Sequence, residues 1–349
     1  MNYFRSAVDA MTGYIPGEQP KPGTPIIKLN TNENPYPPSP QAMEVLRSLD
    51  SEWLRRYPDP FAKDFCSAVS EALGVPADWV IVGNGSDELL NVIIRASAEG
   101  SDRKVVYPMP TYVLYRTLAA MQPAEVVEID YPADFHLPID ELVAAEGAVT
   151  FMASPNSPSG HLVPFADLRI LAQQLAGILV VDEAYTDFAE YSALPLVQEF
   201  ENVIILRTLS KGYSLAGLRM GFGIANPQLL AGLFKIKDSY NIDAIATAVG
   251  TAAMRDQAYK NACAERVKKS RAKLALELKN LGFQVLDSQA NFVLATPPQG
   301  NAEQLYLALK ARGILVRYFK QFGLKDKLRI TVGTDEQNQT LIEALVSLM

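Results

Sequence analysis

The chain has 349 residues, enough for two domains or one large α/β unit. With 48% hydrophobic and 20% charged residues it has the balance of a globular protein with a sizeable core, not of a disordered tail or a membrane protein, and a formal charge of −7 argues against a nucleic-acid partner. Its two histidines, His136 and His161, and two cysteines, Cys66 and Cys263, are too few and too scattered for a zinc cluster, a Cys-x-x-Cys pair or a disulfide framework, so no metal is expected.

No apolar leader opens the chain and no stretch approaches about 18 uninterrupted apolar residues, so a cytoplasmic protein is expected. Residues 1–40 are rich in turn formers, with prolines recurring from Pro16 to Pro40, and read as an irregular arm. From Phe61 the apolar positions Phe65, Val69 and Leu73 recur every four residues, predicting an amphipathic helix that ends at Gly74. Short β-branched or continuously apolar runs follow at 79–83, 104–107, 125–129, 149–152, 178–181, 203–206 and 221–224, with helical segments between most of them. Strands buried on both faces and separated by helices predict a large α/β domain over 41–243, built on a mostly parallel seven-stranded sheet flanked by helices. From about Ala244 a long helical stretch runs to Leu281, followed by strand candidates at 283–286, 291–295, 314–317 and 328–332 and helices at 302–312 and 336–348, a smaller α+β domain over 244–349. The basic run Lys268, Lys269, Arg271 and Lys273 is expected on a solvated face of the long helix, opposite Val267, Leu274 and Leu278.

In open α/β sheets ligands bind beyond the carboxyl ends of the strands, so the residues just after each strand are the candidates for chemistry. Gly83-Asn84-Gly85-Ser86-Asp87-Glu88 leads from a strand into a helix, where free N–H groups suit a phosphate, although a plain turn with Ser86 as N-cap accounts for the same residues. Asp182 ends a strongly apolar strand, and a buried carboxylate needs a cation or donors, either a ligand or a structural arginine. Arg207-Thr208-Leu209-Ser210-Lys211-Gly212 sets a lysine beside hydroxyls, which reads as a nucleophilic amine or as ordinary surface. The segment from Ser154 to Gly160 is a polar turn after another strand.

In this order and spacing the segments resemble the fold type I pyridoxal-phosphate-dependent aminotransferases, and within them the branch that acts on histidinol phosphate. The resemblance runs over nearly the whole chain. It is carried by Gly13-Tyr14-Ile15-Pro16-Gly17, Leu29-Asn30-Thr31-Asn32-Glu33-Asn34-Pro35, Arg56-Tyr57-Pro58-Asp59, Gly83 to Glu88, Asp182 to Tyr185, Arg207 to Lys211, and Leu328-Arg329-Ile330-Thr331-Val332-Gly333. It implies pyridoxal 5'-phosphate held covalently by Lys211, whose amine also shuttles the proton, with Asp182 against the pyridine nitrogen, Tyr185 on the 3-hydroxyl and Tyr112 stacked on the ring. The cofactor's phosphate falls to the backbone around Ser86 and Asp87, to Thr208, Ser210 and Arg219, and to Tyr57 of the neighbouring subunit, which implies a homodimer with composite active sites.

For substrates the resemblance implies L-histidinol phosphate as amino donor and 2-oxoglutarate as acceptor. Arg329 and Arg317 would take the phosphate or carboxylates, and Tyr14 would add a hydroxyl from the partner subunit. Asn32, with Glu33, faces the imidazole or caps the arm. Sister activities on the same motifs, aromatic-amino-acid transamination or threonine-phosphate decarboxylation, are the alternatives. One departure stands out: many relatives carry asparagine before Pro-x-Gly, where this sequence has Ser157 preceded by Asn156. Ser157 is expected to bond the cofactor's 3-oxygen, with a reshaped loop presenting Asn156 as the other possibility.

Overall fold

All seven apolar runs of the first 243 residues lie side by side in one sheet. The computed structural model describes residues 3–11, 13, 18–20, 23–132, 134–321 and 323–349. Its strands are β1 (Ile27–Lys28), β2 (Val80–Gly83), β3 (Gly100–Met109), β4 (Ala124–Asp130), β5 (Val149–Ala153), β6 (Ile178–Asp182), β7 (Val203–Thr208), β8 (Gly221–Ala225), β9 (Gln284–Val285), β10 (Phe292–Thr296), β11 (Ile314–Leu315), β12 (Arg317–Tyr318) and β13 (Leu328–Thr331). The large sheet has the order β2-β8-β7-β6-β5-β3-β4. From β4 to β7 every neighbouring pair is parallel, whereas β8 runs antiparallel to both β7 and β2.

Successive residues of a strand point to opposite faces, which is why the central strands are apolar throughout. Leu179 and Val181 of β6 and Val203 and Ile205 of β7 enter the core on one face, and Val180, Ile204 and Leu206 enter the core on the other. The helix Ser86–Ser97 covers the second face with Leu89, Leu90, Ile93 and Ile94. Helices Lys63–Leu73 and Phe165–Gln174 cover the first with Phe65, Val69, Leu168 and Leu171. Each such side chain, buried outright, contributes roughly 1.5–3 kcal/mol. Helix Lys63–Leu73 stops at Gly74, whose left-handed φ of 70° lets its N–H reach the Ser70 carbonyl at 2.9 Å.

A third core gathers Val267, Leu274 and Leu278 of the helix Gln257–Asn280 with Val293, Leu328 and Ile330 of a four-stranded antiparallel sheet, β12-β13-β10-β9. The predicted helix over 244–281 is two helices, Ala244–Arg255 and Gln257–Asn280. Asp256 divides them, its carboxylate accepting from the Tyr259 N–H to cap the second, a use that aspartate prefers to a helix interior. Ala246, Val249 and Ala253 of the first helix pack into the large sheet's core, whereas Ala264, Val267, Leu274 and Leu278 of the second pack into the third. The predicted strand at 314–317 is likewise two pieces, β11 joining β1 in a parallel pair and β12 joining β13. Arg271 departs from the expected solvated run: its guanidinium turns inward to the carbonyls of Phe188 (3.2 Å) and Ala290 (2.7 Å). Among the described residues no helix is long and apolar enough to cross a membrane.

Candidate active site

The carboxyl ends of β2, β5, β6 and β7 open on one cavity of about 240 Å³. Asp182, the last residue of β6, is 5% exposed. Its Oδ2 accepts a 2.8 Å hydrogen bond from the Tyr115 hydroxyl and its Oδ1 accepts from the Ala184 N–H at 3.2 Å. Burial pushes this carboxyl up to about 6, against the pull of those two donors. The structural arginine that sequence offered as an alternative partner goes to the next residue instead: Arg207 bonds Glu183 Oε2 at 2.9 Å. Asp182 therefore faces the cavity in want of a cation.

Lys211 follows β7, and its Nζ donates to the Thr31 carbonyl at 3.1 Å and stands 5.8 Å from the centre of the Tyr185 ring. The Tyr185 hydroxyl accepts from Asn32 Nδ2 at 2.9 Å, and Asn32 is fixed from the third core, its N–H and Oδ1 bonded to the Thr331 hydroxyl and its carbonyl to Asn291. Asn32 thus holds Tyr185, and Glu33 pairs with Lys28 at 2.6 Å.

An anion-binding corner lies beside them. The helix starts at Ser86 itself, with Gly85 at the N-cap position, so the expected Ser86 cap is absent and the first-turn N–H groups have no capping side chain. Gly85 sits at φ 75°, and a side chain there would meet the Arg219 guanidinium at 2.7 Å. Arg219 reaches Asp87 and the Ser210 hydroxyl, each at 3.3 Å; Ser210 accepts from Thr208 at 3.0 Å; and Tyr112 donates to Asp87 at 3.2 Å. Helix N–H groups, two hydroxyls and a guanidinium are the donor set of a phosphate monoester.

At the opposite side Arg317 and Arg329 are directly paired residues of β12 and β13, with Phe319 5.5 Å from one guanidinium and 5.6 Å from the other. Arg329 donates to the Ser157 hydroxyl at 3.1 Å and to the Asn30 carbonyl at 2.9 Å. Asn156 is fully buried away from the cavity, bonded to Thr111, Pro110 and Ser159, so the loop does not present it. Ser157 lines the cavity.

Of the candidate site residues that the structure describes, all but Asn156 and Tyr57 line this cavity. Tyr57 lies apart, 81% exposed and stacked on Tyr240 at 4.6 Å, and Tyr14 lies outside the described residues. Sequence reading missed Tyr115, which resembles any helical core aromatic, and Asn30 and Thr31, whose carbonyls serve Arg329 and Lys211.

Residues 24–345 match the family model for aminotransferase class I and II. The chain belongs to that family. This aminotransferase is 67% identical over 348 residues to histidinol-phosphate aminotransferase 1 of a Nostoc species, covering 100% of this chain and 98% of the relative. It is 44% identical to the histidinol-phosphate aminotransferase of Geobacter sulfurreducens, over 98% of each chain. The crystal structure of histidinol-phosphate aminotransferase from Sinorhizobium meliloti in complex with pyridoxal-5'-phosphate superposes with a TM-score of 0.89 at 26% identity, covering 100% of this chain and 99% of that one. The fold is the fold type I aminotransferase architecture, and the enzyme is pyridoxal-phosphate-dependent.

The residues present fit that cofactor. A buried carboxylate lacking a cation suits a pyridinium nitrogen, the donor corner suits its phosphate, and Lys211 lies in the same cavity as both. Tyr115 carries a prediction. Its burial and the neighbouring Asp182 keep its hydroxyl protonated, so it serves Asp182 only as a donor. Tyr115→Phe is expected to weaken pyridoxal phosphate binding about tenfold, because a hydrogen bond to a charged group is worth ~1.5–3 kcal/mol. In cofactor-free protein the raised Asp182 means that the folded state holds more protons than the unfolded state between its ordinary 3.8 and about 6, so stability falls as pH rises through that window. The variant extends the window upward. Cofactor titration and melting curves over this pH range read both effects, and wild-type values for each would remove Tyr115 from the role.

Proposed function

We propose that this aminotransferase moves the amino group of L-histidinol phosphate to 2-oxoglutarate, giving imidazole acetol phosphate and L-glutamate, a step of histidine biosynthesis carried out in the cytoplasm. The observation that carries the choice of substrate is the Arg317–Arg329 pair. Like charges directly opposite each other on antiparallel strands repel, and the arrangement becomes favourable when a dianion sits between them. A phosphorylated amine brings such a group, and 2-oxoglutarate brings carboxylates to the same place. The names of the relatives at 67% and 44% identity support the same substrate.

Bound pyridoxal phosphate supplies a carbonyl to take up the amine and a ring that draws electrons from the reacting carbon. The protein does the rest. Lys211 Nζ would tether the cofactor and, once freed, would be the base that moves the proton between the donor's Cα and the cofactor's C4′. Asp182, kept ionised by Tyr115 and the Ala184 N–H, holds the ring nitrogen protonated. Tyr185, oriented by Asn32, and Ser157, already engaged by Arg329, would offer their hydroxyls to the ring's 3-oxygen, and Tyr112 would stack on the ring. Ser86, Asp87, Thr208, Ser210 and Arg219 hold the cofactor's phosphate, and Arg317 and Arg329 hold the substrate's. The working unit is a homodimer in which the exposed Tyr57 of one subunit, and Tyr14, complete the other's site.

The test compares kcat/KM for histidinol phosphate, phenylalanine and threonine phosphate, each with 2-oxoglutarate. Histidinol phosphate is expected to lead by at least about 100-fold, the range that contacts to a substrate's polar groups provide. A preference for phenylalanine, or carbon dioxide released from threonine phosphate, would assign the chain to a sister activity.

A further inference from the structure

The segment Lys211-Gly212-Tyr213 is tied to the rest of the molecule at three points outside its own strand. Asn34 Nδ2, in the N-terminal segment, donates to the carbonyls of Lys211 (3.1 Å) and Gly212 (3.3 Å). Gln257, at the start of the helix Gln257–Asn280, donates to the Tyr213 hydroxyl at 3.0 Å. The third tie is an ion pair. Lys260 Nζ lies 2.9 Å from Asp187 Oδ1, with the two side chains 13% and 10% exposed, and the same ammonium stands 5.5 Å from the centre of the Tyr213 ring. Asp187 belongs to the turn Thr186–Phe188 directly after Tyr185, and its carboxylate lies flat against Gly212, leaving no room for a β-carbon there.

Lys260 sits on the helix whose apolar face forms the third core, and Lys211 follows a strand of the large sheet. Phe188, in the same turn as Asp187, also belongs to the third core, so the ion pair sets that core against Gly212, the residue next to the reacting amine. Taking two charges out of water costs several kcal/mol, so such a pair is a poor source of stability compared with apolar packing, and its value lies in the geometry that it imposes.

We propose that the Asp187–Lys260 pair is a positioning device for Lys211: it clamps Gly212 between the turn that carries Tyr185 and the helix of the third core, and so fixes the direction of the Lys211 amine. Asp187 and Lys260 are positioning residues that touch neither substrate nor cofactor. The proposal rests on Lys211 being the amine that holds the cofactor.

The experiment uses the holoenzyme with three variants, Lys260→Met, Lys260→Arg and the neutral double Asp187→Asn/Lys260→Met, which leaves no unpaired buried charge and so protects against simple unfolding. For each, the melting temperature, the pH midpoint of the bound cofactor's visible absorbance, the KM for 2-oxoglutarate and the single-turnover rate of absorbance loss on adding histidinol phosphate are measured. A misplacement of about 1 Å costs roughly 100-fold in rate, so Lys260→Met and the double variant are expected to slow the single turnover by about 10- to 100-fold, with a displaced pH midpoint and a KM within about twofold of wild type. Lys260→Arg restores both rate and midpoint. A double variant with wild-type rate and midpoint, or a Lys260→Met protein that loses only melting temperature, overturns the proposal. Failure of the underlying reading looks different: Lys211→Ala then keeps the visible absorbance of covalently held cofactor, whatever the Asp187 and Lys260 variants do.

Discussion

Lys211→Ala is expected to lower turnover by about 10⁴-fold or more and to abolish the visible absorbance of covalently held cofactor, while the protein stays folded. Lys211 is the amine that lines the cavity with Asp182, and among the described residues its Nζ makes one hydrogen bond, to the Thr31 carbonyl, so removal disturbs little packing. On the proposed reading two functions go with it: the covalent tether and the group that carries the proton. Non-covalent cofactor affinity persists, because the Ser86 helix start, Arg219 and Asp182 are untouched. Lys211→Arg separates the two effects of charge and nucleophilicity, since a guanidinium keeps the charge but is never deprotonated near neutral pH. Absorbance spectra and turnover with histidinol phosphate read the outcome; a Lys211→Ala protein that kept both would falsify the assignment.

The second large effect belongs to Arg317 and Arg329. Replacing either by methionine is expected to reduce kcat/KM for the phosphorylated donor by about 10² to 10³, since loss of one member of a desolvated, hydrogen-bonded charge contact costs ~2–5 kcal/mol. The loss falls mainly on KM, because the phosphate is remote from the carbon that reacts and is gripped equally before and during the chemistry. Stability supplies an independent readout. With no anion bound the opposed guanidinium groups repel, so Arg317→Met is expected to raise the melting temperature slightly in phosphate-free buffer. Inorganic phosphate then stabilises the wild type more than the variant, as a ligand that binds only the folded state must. Equal responses of the two proteins to phosphate would show that no anion binds between the arginines.

The large sheet was legible because its strands are sandwiched between helices, which makes the run Ile178–Asp182 apolar at every position but the last and Val149–Ala153 apolar but for Thr150. That terminal exception, Asp182, was legible for the same reason: a charge at the end of an apolar run needs an explanation. What sequence concealed was long-range pairing. Nothing near Tyr115 reveals that its hydroxyl meets a carboxylate at the end of β6, and nothing near Arg271 reveals the carbonyls of Phe188 and Ala290 that draw it inward from a basic run. Sequence favoured Ser157 over Asn156 without showing where either points; the fold separates them by turning one into a buried network and the other toward Arg329. The break at Asp256 was missed because apolar periodicity continues through it, and only the capping bond to Tyr259 marks the end of one helix and the start of the next.

The short parallel pairing of β1 with β11 couples Ile27 to Ile314, nearly the whole length of the chain apart. Closing so long a loop is entropically costly until other contacts have drawn the ends together. On the ribosome, the large sheet has all its strands once β8 has emerged, but Asn30 and Asn32 remain without Arg329 and Thr331 until the last strand is made. The nascent chain thus builds its cofactor corner first and its substrate end last, and a protein truncated shortly before β13 would retain the anion-binding corner without a place to hold the second anion.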